Sequence, residues 1–529
     1  MNTTIISRKK LNAFSSFSTA FGEDQQLFSE FLQRPFASLD DLSAQANEKI
    51  TVYPETNREV LVAVLSEQLG ASISESQRRN LSLLSESTTF TITTGHQLTL
   101  FGGPLFLLYK VLHAVKLVQQ FNANQTDYKA VPVFWLASED HDFEEVQSTK
   151  LFGRTLTWES SQKGPVGRFK LNDYYTVFGE LTQLFAGKDE AELNNLLTDL
   201  PTDVYANHYQ QWMSRLFAAF GVLVIQPDDA RLKRLFLPVI QRELTQQPSF
   251  EAVQRSNSAL EKAGWKPQAQ ARACNLFLLN ETGRHRIDPV ASGFSVDGTV
   301  YSAEQFLDLS EEHPEAFSPN VILRPVYQET ILPNLVYIGG GGEMAYWLQL
   351  KGVFAAHETL FPLLQQRNSF LLVDEATEKK RAKTGWELLR FFEPREELRK
   401  AWLQEHDSDQ LNLDNVKAAF NALRLEMIRK AKEIDISLES YAEAETVRLS
   451  KQLETYEQRL VKQVKQQHEQ SLKAIDAVCE RFMPGNSLQE RELHWLNFAA
   501  SGNYSPLLDA IYEATDPFCA GLIVLYLKN

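Results

Sequence analysis

The stretch TITTGHQLTLFGGPLFLLYK, residues 91–110, is the part of this chain that decides how its fold is interpreted. Its first residues are β-branched and predict a buried strand, Gly95 permits a sharp turn, and the apolar residues that follow predict a helix. In that arrangement His96 and Gln97 lie at a helix start, where free backbone amides attract phosphate. The stretch therefore predicts a nucleotide site, with a core helix merely capped by His96 as the alternative.

A second polar cluster follows an apolar run in VPVFWLASEDHDFEE, residues 131–145. Such a run is typical of a buried parallel strand, and open α/β sheets bind ligands at the carboxyl ends of their strands. A metal site built from residues 139–142 is less favoured, because consecutive residues of an extended segment point in opposite directions. A solvated loop is the alternative for Asp142. The side chains expected to face one crevice with His96 are Asp140, His141 and Asp142, with Glu139 as a further binding residue.

A run of four glycines marks a third patch, SPNVILRPVYQETILPNLVYIGGGGEMAYWLQLK at residues 318–351. Residues 335–338 predict a buried strand and a helix begins near Glu343. Four successive glycines are costly in conformational entropy, so close approach of a ligand is a better explanation than a turn. The run matches neither the dinucleotide fingerprint nor the phosphate loop. The binding residues predicted here are Gly339, Gly340, Gly341, Gly342 and Glu343.

Three polar residues precede that strand at intervals of four: Asn320, Arg324 and Gln328. In an extended segment they share one face, and the guanidinium of Arg324 could bind a carboxylate through two hydrogen bonds. We therefore predict all three as binding residues. The alternative is that Arg324 pairs with a neighbouring acid. Residues 277–287 predict a hairpin around residues 281–283, in which Arg284 and Arg286 have no assigned role.

Together the three patches resemble one family, the cysteine-adding enzymes of bacillithiol biosynthesis, also called bacillithiol synthases. The family motifs are TG-(H or Q)-Q with a following GPL, PVFW with EDHDF, SPNV-x-x-RP, and YIGG-x-GE-x-AYW, and this chain carries them in that order. The resemblance continues to residues 482–491. It implies an α/β fold with a Rossmann-like core similar to class I aminoacyl-tRNA synthetases, connecting insertions, and an α-helical coiled-coil domain that forms a homodimer.

The resemblance also implies a reaction, in which L-cysteine is joined to glucosaminyl malate through an amide bond to complete bacillithiol. ATP or another adenine nucleotide is the implied cofactor, without a tightly bound metal. His96 and the amides after Gly95 would stabilise phosphoryl charge, and Asp140 and His141 would orient the amine and accept its proton. Arg324 and the glycine run would hold malate carboxylates or nucleotide phosphates. The alternative is a nucleotide-binding scaffold without catalysis that dimerises through the coiled coil.

The overall composition restricts the class of partner and the compartment. The 529-residue chain has a formal net charge of −15, which argues against nucleic acid as a partner. Its three cysteines are widely spaced and suit a reducing compartment. There is no apolar run long enough to cross a bilayer. We therefore predict a cytoplasmic enzyme of small molecules that binds neither membranes nor nucleic acid.

Composition along the chain predicts six segments. Between residues 376 and 483, apolar residues at intervals of three and four predict an antiparallel helical hairpin. It turns at residues 435–438, and its second helix spans residues 439–481, roughly 60 Å long. A solvated arm without a partner is the alternative to a dimer. The predicted segments are a helical cap at 1–87, the first half of the core at 88–150, an insertion with core elements at 151–290, the second half at 291–375, the coiled-coil arm at 376–483 and a core-packing C-terminal segment at 484–529.

Overall fold

The computed structural model describes residues 2–71, 73–187, 191–198, 202–280, 283–411 and 413–527. They form two compact units. The core unit comprises Met1–Leu372 with Gln489–Leu527, and the helical unit comprises Val373–Leu488.

The strands are β1 Asn2–Ile6, β2 Thr89–His96, β3 Lys129–Leu136, β4 Ser148–Leu151, β5 Arg154–Thr157, β6 Leu223–Ile225, β7 Leu276–Asn280, β8 Gly283–Arg286, β9 Asp288–Val290, β10 Gly293–Val296, β11 Thr299–Tyr301, β12 Phe317–Pro319, β13 Asn334–Gly339, β14 Leu363–Gln366, β15 Ser369–Val373 and β16 Leu522–Tyr526. The helices are α1 Ser16–Glu23, α2 Leu39–Val52, α3 Glu55–Leu69, α4 Glu75–Leu84, α5 Phe106–Asn124, α6 Tyr174–Leu184, α7 Ala191–Leu197, α8 Tyr205–Leu216, α9 Ala230–Gln246, α10 Pro248–Lys262, α11 Ala303–Glu312, α12 Arg324–Ile331, α13 Gly341–Trp347, α14 Lys351–Ala356, α15 Glu375–Lys383, α16 Arg395–Leu411, α17 Asp414–Ile434, α18 Glu439–Gln467, α19 Glu469–Phe482, α20 Gln489–Glu492 and α21 Ser505–Ala514.

A five-stranded parallel sheet forms the centre of the core unit, in the order β14-β13-β2-β3-β6. The strands β2, β3 and β6 follow one another outward in one direction, and β13 and β14 are added in the other. The strand order therefore reverses between β2 and β13. In open α/β sheets, a crevice opens beyond the carboxyl ends of the strands at such a reversal, and ligands bind there.

Apolar side chains cover both faces of this sheet. Phe90 and Ile92 of β2 belong to a buried cluster with Leu117 of α5. Val133 of β3 belongs to a second cluster with Phe236 of α9. Burying each of these side chains contributes roughly 1.5–3 kcal/mol. The strands predicted at residues 90–93, 131–136 and 335–338 are therefore confirmed as buried parallel strands.

Gly95 does not form the predicted turn. Strand β2 continues to His96, and the next α-helix, α5, begins only at Phe106. A Cβ at Gly95 would lie 2.9 Å from the carbonyl oxygen of Trp135, so glycine is required there by the close approach of β3. The prediction that His96 and Gln97 lie at a helix start is wrong, because the strand is longer than its β-branched residues indicate.

Of the three polar residues predicted at intervals of four, Arg324 and Gln328 lie in a helix rather than in an extended segment, and Asn320 precedes that helix. Helix α12 begins at Arg324 with Pro325 in its first turn, a position that suits the fixed φ of proline. The backbone N–H of Arg324 donates to the Asn320 carbonyl at 2.8 Å. An interval of four places residues on one face of a helix as well as of a strand, so the spacing could not separate the two.

The helical unit contains the predicted hairpin with one correction. Helices α17 and α18 are joined by a short turn at Ile436–Leu438, which confirms the predicted reversal. The second helix, predicted to be continuous over residues 439–481, is instead divided at His468 into α18 and α19. Leu472, Ile475 and Phe482 of α19 are buried, so this second helix packs through its apolar residues.

The predicted strands at residues 277–287 are confirmed as the antiparallel pair β7–β8, while Glu281 and Thr282 of its turn lie outside the described residues. Among the described helices, none combines the length and apolarity needed to cross a bilayer.

Candidate active site

A cavity of about 740 Å³ opens in the core unit where β2, β3 and β13 end. Its position coincides with the reversal of strand order. The residues that line it are Gly95, His96, Gln97, Phe106, Lys110, Trp135, Ala137, Ser138, Glu139, Asp140, Pro227, Gln270, Arg272, Phe277, Arg284, Pro319, Asn320, Val321, Arg324, Tyr337, Gly340, Gly341, Gly342, Glu343, Tyr346, Arg367 and Arg491.

Positive charge is concentrated in this cavity. Among the described residues, six cationic side chains and three carboxylates line it, whereas the whole chain has a net charge of −15. A cleft lined by an excess of one sign of charge raises the local concentration of ligands of the opposite sign. The cavity therefore suits an anionic ligand. Its cations are Lys110, Arg272, Arg284, Arg324, Arg367 and Arg491, and its carboxylates are Glu139, Asp140 and Glu343.

An ion pair between a buried lysine and a partly exposed glutamate joins α5 to the start of α13. Lys110 Nζ lies 2.5 Å from Glu343 Oε2 and donates to the carbonyl oxygen of Gly95 at 2.9 Å. The Tyr337 hydroxyl and the Gly340 N–H also donate to this carboxylate, at 2.6 and 2.8 Å. Burial alone would raise the pKa of Glu343, but the Lys110 charge and these hydrogen bonds lower it to about 2. Glu343 is thus ionised and already bonded to Lys110, Tyr337 and Gly340, so we interpret it as a residue that positions these groups.

Arg324 lines the cavity and is held there by hydrogen bonds to two neutral groups. Its Nη1 donates to Gln328 Oε1 at 3.2 Å and its Nη2 to the Tyr346 hydroxyl at 3.4 Å. Within the part of the chain that the structure describes, no carboxylate lies within ion-pair distance of its guanidinium. Burial would lower the pKa of Arg324, but the neighbouring Tyr346 and Tyr337 outweigh it and raise the pKa. A permanent charge therefore faces the cavity, and Gln328 orients it from outside the cavity.

The glycine run has more than one physical cause. A Cβ at Gly339 would lie 2.7 Å from the Met344 side chain, and one at Gly341 would lie 2.7 Å from Ser18 Oγ. These two glycines are explained by packing, and Gly339 does not line the cavity. Gly342 has open space where a Cβ would lie, and at Gly340 the nearest atoms would be at ordinary contact distances of 3.5 and 3.9 Å. Of the residues in the run, packing thus leaves Gly340 and Gly342 for the predicted approach of a ligand, which stays a prediction.

The acidic cluster after β3 is divided between the cavity and the surface. Glu139 Oε1 lies 2.5 Å from the buried Lys233 Nζ, so its charge is already compensated. Asp140 accepts a hydrogen bond from Gln97 Nε2 at 2.7 Å, and the same amide donates to Glu145 at 2.8 Å. Asp140 therefore lines the cavity and is positioned there by a neutral donor, the Gln97 amide.

His141 and Asp142 lie outside the cavity, contrary to the prediction that they share it with His96. The chain turns after β3, with the Asp140 N–H donating to the Ala137 carbonyl at 3.2 Å, and this turn directs the next residues outward. The His141 side chain is 49% exposed, and its Nδ1 lies 3.2 Å from a guanidinium nitrogen of Arg284. Among the described residues, no group of three or more potential metal ligands is assembled.

His96 lies at the cavity wall with its ring edge-on to Phe106, the ring centroids 5.0 Å apart. Burial, followed by the charge of Lys110, lowers the pKa of His96 to about 3. The imidazole is therefore neutral at physiological pH. Its ring nitrogens make no hydrogen bond to the described residues, so they can donate to or accept from a ligand.

Sequence reasoning missed most of the cations. Lys110 had one detectable signal, a lone lysine inside the apolar helix FLLYKVLHAV. The other missed residues come from distant parts of the chain, so no local pattern connects them. They are Arg272, Arg284, Arg367 and Arg491.

Comparisons with known families agree with this architecture. The family model of the bacillithiol biosynthesis BshC N-terminal Rossmann-like domain matches residues 1–368, and that of the BshC C-terminal coiled-coil domain matches residues 370–527. This chain belongs to the BshC family. The predicted Rossmann-like and coiled-coil domains are thereby confirmed.

Several named BshC proteins are similar to this chain over most of its length. One from Flavobacterium johnsoniae is 37% identical over 90% of this chain and 90% of its own length. Others from Cytophaga hutchinsonii and Flavobacterium psychrophilum are 36% and 35% identical, over 87% and 93% of each chain. All three are named "Putative cysteine ligase BshC".

Proposed function

We propose that this BshC protein is a ligase of bacillithiol biosynthesis that joins L-cysteine to glucosaminyl malate through an amide bond. The names of its relatives support the activity, and the observation that carries the proposal is the cationic cavity at the reversal of strand order. Both substrates contain carboxylates, and arginine binds carboxylates through paired, charge-assisted hydrogen bonds. A cavity of about 740 Å³ is within the range that accommodates such small molecules.

Amide formation requires that the cysteine carboxylate be activated, because a free carboxylate resists attack by an amine. We assign ATP or another adenine nucleotide as the co-substrate that supplies the leaving group when bound. The cavity residues fit its phosphates, since Arg324 lacks a carboxylate partner within the described chain and Gly342 leaves its surroundings open. Arg324 would neutralise phosphoryl charge, and His96 would donate a hydrogen bond to it.

Asp140 is the residue we assign to the amine. The attacking sugar amine must be neutral, and it must lose a proton as the C–N bond forms. Gln97 positions Asp140 by donating to one of its carboxylate oxygens at 2.7 Å. His141 is not assigned a catalytic role because it lies outside the cavity.

The decisive test of the activity is a reconstituted reaction. Purified protein, cysteine, glucosaminyl malate and ATP should yield bacillithiol, detected by mass spectrometry after thiol labelling, with consumption of the nucleotide. A strain lacking the gene should accumulate glucosaminyl malate and contain no bacillithiol. If the deletion strain retains bacillithiol and the purified protein binds nucleotide without turnover, the scaffold function replaces the ligase.

Two substitutions of His96 separate hydrogen bonding from proton transfer. We expect His96→Ala to lower kcat about 100-fold, because one fixed donor to developing charge is lost. His96→Gln should stay within about fivefold of the wild type, because its amide still donates. Since the pKa of His96 is about 3, this imidazole should not ionise between pH 5 and 8, and His96→Gln should leave the shape of the pH–rate profile in that range unchanged. Equal losses in both variants, or a pH limb abolished by His96→Gln, would contradict this role.

Self-association through the helical unit is a further part of the proposal. Several large apolar side chains of α17 and α18 are exposed, including Leu425 at 69% and Val447 at 53%. Exposed apolar surface of this kind is typical of protein interfaces. We expect Leu425→Glu with Val447→Glu to convert a homodimer to a folded monomer in light scattering, whereas Asn421→Glu, an exposed control on α17, should remain dimeric. A dimer that persists in the double variant would place the interface elsewhere.

A further inference from the structure

A second cavity, of about 480 Å³, adjoins the first in the core unit. The two cavities share His96, Gln97, Phe106 and Arg491, so they meet at these four residues. The remaining residues that line the second cavity are Thr99, Leu100, Gly103, Pro104, Glu145, Ser148, Thr149, Lys150, Thr155 and Glu492.

The second cavity differs from the first in chemistry. Four hydroxyl side chains line it, from Thr99 and from the β4–β5 hairpin, whereas the first cavity has five guanidinium groups in its lining. Its cations are Lys150 and the shared Arg491. Among the described residues, the ion-pair partner of Lys150 is Glu492, with 3.4 Å between Nζ and Oε2, and the Lys150 side chain is 63% exposed. Hydroxyl and carboxylate groups recognise the hydroxyls of a sugar, and two accessible cations match two carboxylates.

Gln97 lies where the two cavities meet and forms a hydrogen bond to a residue of each. Its Nε2 donates to Asp140, which lines the first cavity, and to Glu145, which lines the second. A carboxylate thus lies on each side of one amide. Two reactants bound on opposite sides would meet at His96 and Gln97, which is the arrangement that a two-substrate condensation requires.

We propose that the second cavity is the acceptor subsite, which binds the sugar hydroxyls and malate carboxylates of glucosaminyl malate while the first cavity holds the activated cysteine. This inference rests on the proposed function. The sugar amine supplies the electron pair of the new C–N bond, the leaving group departs from the cysteine carbonyl with its own pair, and the amine proton passes to a carboxylate beside Gln97. Lys150 and Arg491 bind the malate carboxylates.

The proposal can be tested by placing a large side chain in the second cavity at an exposed position. Thr155 lies on the exposed surface of β5 and lines the second cavity, so Thr155→Trp should obstruct it without disturbing the core. Arg154→Trp is the matched control, because Arg154 is the exposed neighbour on the same strand and lines neither cavity. We expect Thr155→Trp to raise the KM for glucosaminyl malate at least tenfold, with the KM for cysteine and the Tm unchanged, and Arg154→Trp to match the wild type.

Lys150→Gln tests which part of the acceptor is recognised. It should weaken the binding of glucosaminyl malate about tenfold in calorimetry and leave the binding of methyl glucosaminide, which lacks malate, unchanged. Equal binding of glucosaminyl malate by Thr155→Trp and the wild type would overturn the subsite. So would a Thr155→Trp variant in which only the KM for cysteine is raised. An absence of glucosaminyl malate binding by the wild type would overturn it as well. Binding that Thr155→Trp weakens, in a wild-type protein that forms no product, would uphold the subsite and refute the ligase.

Discussion

Replacement of Arg324 by glutamine should lower kcat/KM about 1000-fold, which corresponds to about 4 kcal/mol of lost transition-state binding. Its guanidinium lines the cavity and has no carboxylate within ion-pair distance in the described chain, so its charge is available to the substrates. Two charge-assisted hydrogen bonds account for a loss of this size. Steady-state kinetics with each substrate varied in turn would show which ligand Arg324 binds.

The same experiment distinguishes a ligand-binding role from a structural one. Arg324→Gln removes a desolvated cation without leaving a carboxylate unpaired, so the Tm should not fall. Arg324→Lys should recover only part of the activity, because an ammonium group lacks the planar fork of a guanidinium. Arg286→Gln is the control, since Arg286 is exposed on β8 and does not line the cavity. A wild-type kcat/KM in Arg324→Gln would remove Arg324 from the site.

Replacement of Lys110 by methionine should destabilise the core unit by about 3 kcal/mol, the lower end of the range for a buried pair, because it leaves the Glu343 carboxylate, whose side chain is 25% exposed, without its cation. Urea denaturation followed by tryptophan fluorescence would measure the loss. The double variant Lys110→Met with Glu343→Gln should recover most of the stability, because no unpaired charge remains. A single variant as stable as the wild type would show that the pair contributes little.

The pH dependence of this pair has a defined sign. The folded-state pKa of Glu343 is about 2, below its ordinary value of 4.5, so the unfolded state binds the proton more readily. Its contribution to stability is complete above pH 4.5 and is lost as the pH falls towards 2. In Glu343→Gln this part of the acid destabilisation should be absent, while stability at pH 7 should be lower than in the wild type.

The sequence by itself determined the parallel strands and much of the helical unit. Residues 90–93, 131–136 and 335–338 are apolar or β-branched over lengths that fit buried strands, and the four family motifs follow or flank them. The reversal at residues 435–438 was also readable, because the apolar pattern breaks there. These features are set by interactions between residues close together in the sequence, so the order of apolar and polar residues is enough to predict them.

The sequence could not determine which side chains face the ligand. The two glycines that packing explains, Gly339 and Gly341, looked the same as Gly342, because their neighbours Met344 and Ser18 are identified only by the fold. His141 and Asp140 are adjacent in sequence, yet one turn of backbone places only Asp140 in the cavity.

Only the tertiary structure brought the cations together. Lys110 meets Glu343 because β2 and β13 are neighbours in the sheet although they are far apart in the chain. Arg284, Arg367 and Arg491 reach the same cavity from β8, from the end of β14 and from α20. A charge excess that binds anions arises from distances in space, and the chain as a whole carries the opposite net charge, so neither composition nor spacing could reveal it.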